Sequence, residues 1–484
     1  MPTLSVARVD VVEDDKFSSG AFLYFQVVLS EPSDEEISFT YLTSPGTAVR
    51  EDFAGTSNTK IRTATAIIPA GDLFVDIAMR VLGDTTDEVD ESVWLEIFNP
   101  KGAELLDSDT RIRALGVLQD EDGTGSDLAL FVSSPVLVER DSGTTVAVFD
   151  VHLSRAADSG LTFDFQTVDG SAKAGSDYVA QSGSLTFLQG ETFKTVEIAV
   201  NGDTEIEPSE FFSLVVTPTA DIKNGALGST GIATIFDADA ADSALPTISV
   251  ERAGVTELGN FGSGPNMYFR VTLSEPSDEE VTVAFTIRAG SAVNGDFLTS
   301  TGIRNGVVTF AAGDTTALVR MQVQGDQTDE VDESVWIELY DPKGAALAGG
   351  EARISALGVV SDENGTGSDL ALFVSSPTLR EGDGGGKVAV FEIHLSHAYD
   401  EDLSFGFQTS DGSAKAGSDY VAKTGTVTFL AGQTIAVVEV QVDGDGALES
   451  SESFFPRGHR DLRHQEYQRL PRRVRDDRQR RQHP

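Results

Sequence analysis

The 484-residue chain carries 78 acidic residues against 35 Lys+Arg, a formal net charge of -43, and no Cys. That balance works against binding nucleic acid or an anionic membrane, and the missing thiols exclude disulfides and thiolate sites and leave oxygen ligands for hard cations. A hydrophobic content of 40% suffices for ordinary folded cores, and no apolar run approaches the roughly 18 residues of a membrane span.

Residues 1–122 form the first module. Met1-Pro2-Thr3-Leu4 leads straight into a strand-like run, so no cleavable signal peptide is expected. Its strand-end acids are Glu13 and Asp52, the latter before Phe53, then those of an acidic loop at residues 83–91 (GDTTDEVDE), then Asp120 and Asp122. In the loop Asp84 is followed by Glu88 four residues on and by Glu91 three further on. Residues 92–98 (SVWLEIF) then alternate, completing the pattern strand, acidic loop, strand. Carboxylates held this close repel one another unless a cation sits among them.

Residues 123–241 form the second module. Short β-branched and aromatic runs at 128–132, 146–153, 161–167, 183–187, 195–200, 211–216 and 231–236 predict seven strands, punctuated by Gly, Pro and Asp clusters. Seven strands in about 115 residues predict a Greek-key, immunoglobulin-like β-sandwich, and no amphipathic helix is found. The acids repeat the plan. Glu139 follows the first strand, Asp177 sits in a Gly-Ser-Asp-Tyr phrase, Asp203, Glu207 and Glu210 occupy the acidic loop, and Asp237 and Asp239 end the last strand.

The two-module unit is then written again. Trp94 recurs as Trp336 in a matching DESVW context, 242 residues on (336 minus 94), and residues 169–179 recur at 411–421. The third module, residues 242–364, offers Glu257, Asp296 before Phe297, Asp326, Glu330, Glu333 and Asp362. The fourth, residues 365–456, offers Glu381, Asp419, Asp445, Glu449 and Glu452, and lacks the final acidic pair. Short polar linkers at 120–126, 239–243 and 362–368 predict neighbours that touch end to end. The fold class is therefore all-β: four tandem sandwiches, the last truncated after Phe455 and missing two strands. Residues 457–484, with ten Arg against four acids, repeat nothing earlier. They are expected to be disordered, and a reading-frame slip explains them better than a functional basic arm.

Calcium takes six to eight oxygens at about 2.3–2.6 Å with irregular geometry, whereas magnesium demands octahedral order and keeps its waters. The acidic loops therefore favour Ca2+, with magnesium second. Solvation of an acidic surface would account for one such loop, but not for four with fixed spacing and matching acids at three other strand ends. His152 and His394, at equivalent strand positions, lack nitrogen or sulfur co-ligands and read as structural. Trp94 and Trp336 are expected in the sandwich cores. No Ser-His-Asp arrangement is evident, and carboxylates repeated in every module fit a structural site better than glycoside hydrolysis. The chain is not expected to be an enzyme.

At residues 169–178 (DGSAKAGSDY), 183–192 (GSLTFLQGET), 202–212 and 233–239 (ATIFDAD), the sequence resembles the Calx-beta repeat, a domain of sodium/calcium exchangers and large adhesion proteins. The likeness covers nearly all of residues 1–455 as four copies. It implies calcium bound at one end of each sandwich, with Glu139, Asp177, Asp203, Glu207, Glu210, Asp237 and Asp239 as the matching acids of the second. Ala238 and Gly202 stand where further carboxylates could be, and the first and third modules replace Gly-Ser-Asp-Tyr with Glu51-Asp52-Phe53 and Gly295-Asp296-Phe297. The expected role is a calcium-rigidified spacer of a bacterial surface or secreted adhesin, exported without a cleavable leader, with a protein or cell-surface glycan as partner. The alternatives are a regulatory calcium sensor and an accessory array of a secreted hydrolase.

Overall fold

The computed structural model describes residues 1–13, 21–48, 62–82, 87–106, 110–122, 127–205, 207, 210–219, 221–224, 229–236, 245–256, 266–292, 304–324, 330–362, 370–377, 379, 385–399, 401–444 and 452–459. Their regular structure is strand, apart from 3-10 turns at Leu106 and at Ala348–Gly350. Two compact units are distinguished: Met1–Arg380 with Val388–Leu403 and Phe429–Glu439, and Glu381–Lys387 with Ser404–Thr428 and Val440–Pro484.

In the first unit, the first sandwich contains β1 (Thr3–Val6), β2 (Val9–Val12), β3 (Phe22–Leu29), β4 (Ile37–Pro45), β5 (Arg62–Ile68), β6 (Phe74–Arg80), β7 (Glu91–Lys101), β8 (Glu104–Leu105) and β9 (Arg111–Gln119). One sheet has the order β6-β3-β1-β8 and the other β2-β9-β7-β4-β5. The opening strand splits, so that β1 pairs with β3 while β2 runs parallel to β9. Two-residue alternation does the sorting. In β3, Leu23, Phe25 and Val27 are buried while Phe22, Tyr24 and Gln26 face out. The inward set meets Phe39 of β4 and Val93, Leu95 and Ile97 of β7 in one core.

The second sandwich repeats this with β10 (Leu130–Val132), β11 (Val136–Val138), β12 (Gly143–Leu153), β13 (Leu161–Asp169), β14 (Ser182–Phe187), β15 (Phe193–Gly202), β16 (Glu210–Val216) and β17 (Thr230–Phe236), in sheets β10-β12-β15 and β11-β17-β16-β13-β14. The third has β18 (Thr247–Val250), β19 (Ala253–Thr256), β20 (Asn266–Leu273), β21 (Val281–Ala289), β22 (Arg304–Phe310), β23 (Thr316–Gln322), β24 (Glu333–Lys343), β25 (Ala346–Leu347) and β26 (Arg353–Ser361), in sheets β23-β20-β18-β25 and β19-β26-β24-β21-β22. In both, the split opening strand runs parallel to the last one, β11 with β17 and β19 with β26. This topology puts the ends of β2, β4, β6 and β9 and the start of β7 at one pole. The predicted acids neighbour those ends in sequence.

In the second unit the strand Phe454–His459 pairs antiparallel with residues 406–411. The fourth sandwich therefore runs past Phe455, where its truncation was expected. A ladder needs backbone groups rather than apolar side chains, so Pro456-Arg457-Gly458-His459 hid a strand. Among the described residues no strand follows it. Residues 460–484 lie outside the described residues.

The first and second sandwiches meet end to end, as expected, around Trp94, and within the same unit Trp336 packs on the segment 388–403. Both tryptophans face out of β7 and β24 instead of into the cores: the three alternate positions Val93, Leu95 and Ile97 already fill that side. Trp94 meets the edge of His152 at 6.5 Å beside Leu115, Val117, Ala129 and Phe131, and Trp336 meets His394 at 6.2 Å. Burial, then the Arg8 charge, pushes His152 down to about 4, so it packs as a neutral ring. Arg8 donates to the carbonyls of Leu153 and Ser154, as Arg252 does to those of Leu395 and Ser396.

The first and third sandwiches also pack side by side, a contact that adjacency in the chain does not predict. Glu96 on the outer face of β7, 2% exposed, lies 2.8 Å from Arg270 of β20, 3.1 Å from Arg113 and 3.6 Å from Arg111 of β9. Arg111 and Arg270 also reach Glu251 at 2.7 and 2.9 Å. Burial opposes the Glu251 charge, but Arg111, Arg270 and Arg113 outweigh it and hold the carboxyl down to about 2. Asn99 donates to the Thr316 carbonyl and accepts from the amides of Thr315 and Thr316, while Lys101 bridges Asp314 at 2.6 Å. Glu96→Gln removes the charge that Arg270 and Arg113 share, so urea unfolding should show a loss of about 1–3 kcal/mol.

Candidate metal centre

In the second sandwich each acid arrives from a different strand end. Glu139 follows β11, and its amide donates to the Phe236 carbonyl at the end of β17 (3.0 Å). Asp177 belongs to the β13–β14 connection. Its carboxylate accepts from the Lys173 amide at 2.6 Å, and its carbonyl accepts from the Asn201 amide at 2.9 Å. The neighbouring Tyr178 donates its hydroxyl to Asp169 (2.6 Å) and stacks on Phe212 at 4.2 Å. Phe212 lies two residues after Glu210, so this stack ties the Asp177 hairpin to the acidic loop.

The loop itself starts under constraint. A Cβ at Gly202 would fall 1.8 Å from the Arg140 carbonyl oxygen, so the position where a further carboxylate could stand admits no side chain. Asp203 then accepts from the Glu205 amide at 2.7 Å, closing a local turn.

The outcome is two triplets that share a member. Ligand oxygens of Glu139, Asp203 and Glu207 lie within 4.8 Å of one another, as do those of Asp177, Glu207 and Glu210. Burial, then the charge of Asp177, a hydrogen bond to it, and the charges of Glu207 and Glu139 push Glu210 up to about 9. At neutral pH Glu210 thus holds a proton, because an added negative charge here is too costly. All five donors are carboxylates, and no imidazole is among them. That donor set fits a hard, oxygen-preferring cation.

The other sandwiches bring together fewer of the predicted acids. In the first, Asp120 accepts from the Glu88 amide at 2.9 Å and its own amide donates to Asp90 at 3.1 Å, while the Asp122 amide donates to Asp120 and that of Glu13 to the Gln119 carbonyl. Asp120 groups with Asp87 and Asp127 within 4.8 Å, and neither of these was predicted. Asp87 falls between the spaced loop acids, and Asp127 opens the next sandwich, so loop spacing could not single them out. Among the described residues, no such triplet includes Glu13, Glu88, Glu91 or Asp122. In the third, Asp362 accepts from the Glu330 amide at 2.6 Å and donates its own amide to Asp332 at 3.0 Å, repeating the first; Glu333 opens β24. In the second unit Asp419 accepts from the Lys415 amide at 2.7 Å; this bond, then those to Ser418 and, beyond burial, Glu452, hold its pKa below the usual range. Asp52, Asp84, Asp237, Asp239, Glu257, Asp296, Asp326, Glu381, Asp445 and Glu449 lie outside the described residues.

The model of the Calx-beta domain matches residues 126–241, 262–359 and 368–457. FRAS1-related extracellular matrix protein 2 of Homo sapiens is 26% identical over 307 residues, 59% of this chain and 9% of that protein. Adhesion G-protein coupled receptor V1 of Danio rerio is 24% identical over 348 residues, 63% of this chain and 5% of the receptor. Sodium/calcium exchanger 2 of Rattus norvegicus is 49% identical over 49 residues, 10% of this chain and 5% of the exchanger. The chain thus spans less than a tenth of each of these relatives. Among solved structures, CBD12 from CALX1.2 is similar with a TM-score of 0.21 and 19% identity, covering 46% of this chain and 84% of that one. With more than half of its length matched by the domain model, the chain belongs to the Calx-beta domain family.

Proposed function

We propose that this is a calcium-binding structural array, a spacer in a bacterial surface or secreted adhesion protein whose sandwiches stiffen when the ion binds. The observation that carries the reading is the convergence of Glu139, Asp177, Asp203, Glu207 and Glu210, where burial and then the neighbouring carboxylates push Glu210 up to about 9. Asp237 and Asp239 would complete the shell from the end of β17. The ion relieves the carboxylate repulsion, and the loops it joins come from separate strand ends, so binding links them. A role at the cell surface draws support from the extracellular matrix and adhesion proteins among the relatives. Among the described residues no helix is long and apolar enough to cross a membrane.

Calorimetric titration of the intact chain with calcium, with magnesium as control, tests this directly. Saturable calcium binding with a rise in Tm is expected, and a ligand at a hundred times its Kd adds about 2.7 kcal/mol to the form that binds it. Asp177→Asn with Glu207→Gln should remove the sites of the second sandwich from the stoichiometry. No heat and no shift with either ion would leave the acids as solvation alone. Millimolar affinity fits a spacer and micromolar affinity a sensor.

A further inference from the structure

The side-by-side contact between the first and third sandwiches uses two different faces. The first contributes the outer face of β7 and β9, and the third the outer face of β18, β20 and β23. Each sandwich is a copy of the other, so each also owns the face it does not use. On the third, the outer face of β24 and β26 carries Glu338, Tyr340 and Arg353, the counterparts of Glu96, Phe98 and Arg111. Glu96 and Phe98 are 2% and 1% exposed, whereas Glu338 and Tyr340 are half-buried and Arg353 is exposed. On the first, the outer face of β3 and β6 presents Phe22, Tyr24 and Phe74, which are 46%, 52% and 50% exposed. The pairing register makes Phe74 the counterpart of Thr316, which is 3% exposed under the first sandwich. Three large rings in the open on one face, two of them stacked at 5.8 Å, mark a surface built to be covered.

We propose that these two open faces meet between copies of this chain, the β24–β26 face of one docking on the β3–β6 face of another in the manner of the internal contact. The polar clasp recurs for it. Lys343 and Asp72 are the counterparts of Lys101 and Asp314, which form the internal bridge, and both are exposed. Asp341 stands where Asn99 does and shares its unusual positive φ (53° against 50°). It is placed to accept from the amides of Leu73 and Phe74 as Asn99 accepts from those of Thr315 and Thr316. Arg353, already over the Tyr340 ring at 4.9 Å, brings a cation to the aromatic face. The ion cluster does not recur, because Gln26 and Ala7 replace Arg270 and Glu251. The contact between copies is therefore weaker than the internal one. Because the two faces differ, each copy offers one of each and assembly continues past two.

Sedimentation velocity on the full chain, over a concentration series at low and high salt, tests the proposal. Mass should rise with concentration and fall back with salt. Lys343→Glu and Asp72→Lys should each weaken association about tenfold by placing like charges together, and mixing the two variants should restore it. Both positions are exposed, so unchanged melting curves will show that the fold is intact. A chain that stays monomeric throughout overturns the proposal. So does association that neither variant alters, or variant mixtures that fail to recover.

Discussion

Calcium affinity of the second sandwich is expected to climb about tenfold for each pH unit as pH rises toward 9, because the Glu210 proton must leave before its carboxylate can coordinate. Burial and the surrounding carboxylates push Glu210 up to about 9 from an ordinary value of 4.5. Between those two values the folded, metal-free protein holds a proton that the unfolded chain has released. Stability without the ion should therefore fall as pH rises from about 4.5 to about 9. Bound calcium should cancel that slope. Titrations in two buffers of different ionisation enthalpy should count about one proton released per ion at this site near neutrality. Glu210→Gln should flatten the dependence, and a flat wild-type profile would remove Glu210 from the site.

Phe212→Ala should cost about 3–5 kcal/mol, the largest effect of a single truncation proposed for this chain. Its ring is fully buried, stacks on Tyr178 at 4.2 Å and meets Phe149 edge-on at 5.9 Å. The loss would also free the Asp177 hairpin, so calcium affinity should drop although no ligand has changed. Tyr178→Phe separates the two contributions. It keeps the stack and removes the hydroxyl's bonds to Asp169 and Thr167, for about 1 kcal/mol. Urea unfolding read with and without calcium gives both figures, and a Phe212→Ala loss no larger than that of Tyr178→Phe would refute the coupling.

Much of the fold was legible because strand alternation and the 242-residue repeat are local properties of the chain. The five acids that converge in the second sandwich could be read for the same reason: each sits at a strand end, and the topology gathers those ends at one pole. Three of the features that escaped have distinct physical reasons. Asp127 groups with Asp120 across a junction, and no spacing within a loop encodes that meeting. Trp94 was expected in the core because it is large and apolar, but its neighbours Val93 and Leu95 take the inward positions and leave it to the junction. The side-by-side contact was hidden because Glu96, Arg111 and Arg270 occupy alternate outward positions, where charge ordinarily signifies water.

The parallel pairings of β2 with β9, β11 with β17 and β19 with β26 acquire a different meaning once the chain is pulled. Each joins the opening segment of a sandwich to its closing strand, with the two running in the same direction. Tension on the ends of a sandwich drags these partners past each other along their length, so all the bonds of the pair carry load together and yield together. In a tethered array each of the first three sandwiches would meet force through this clamp, and would resist as a unit up to the point where the whole pair shears.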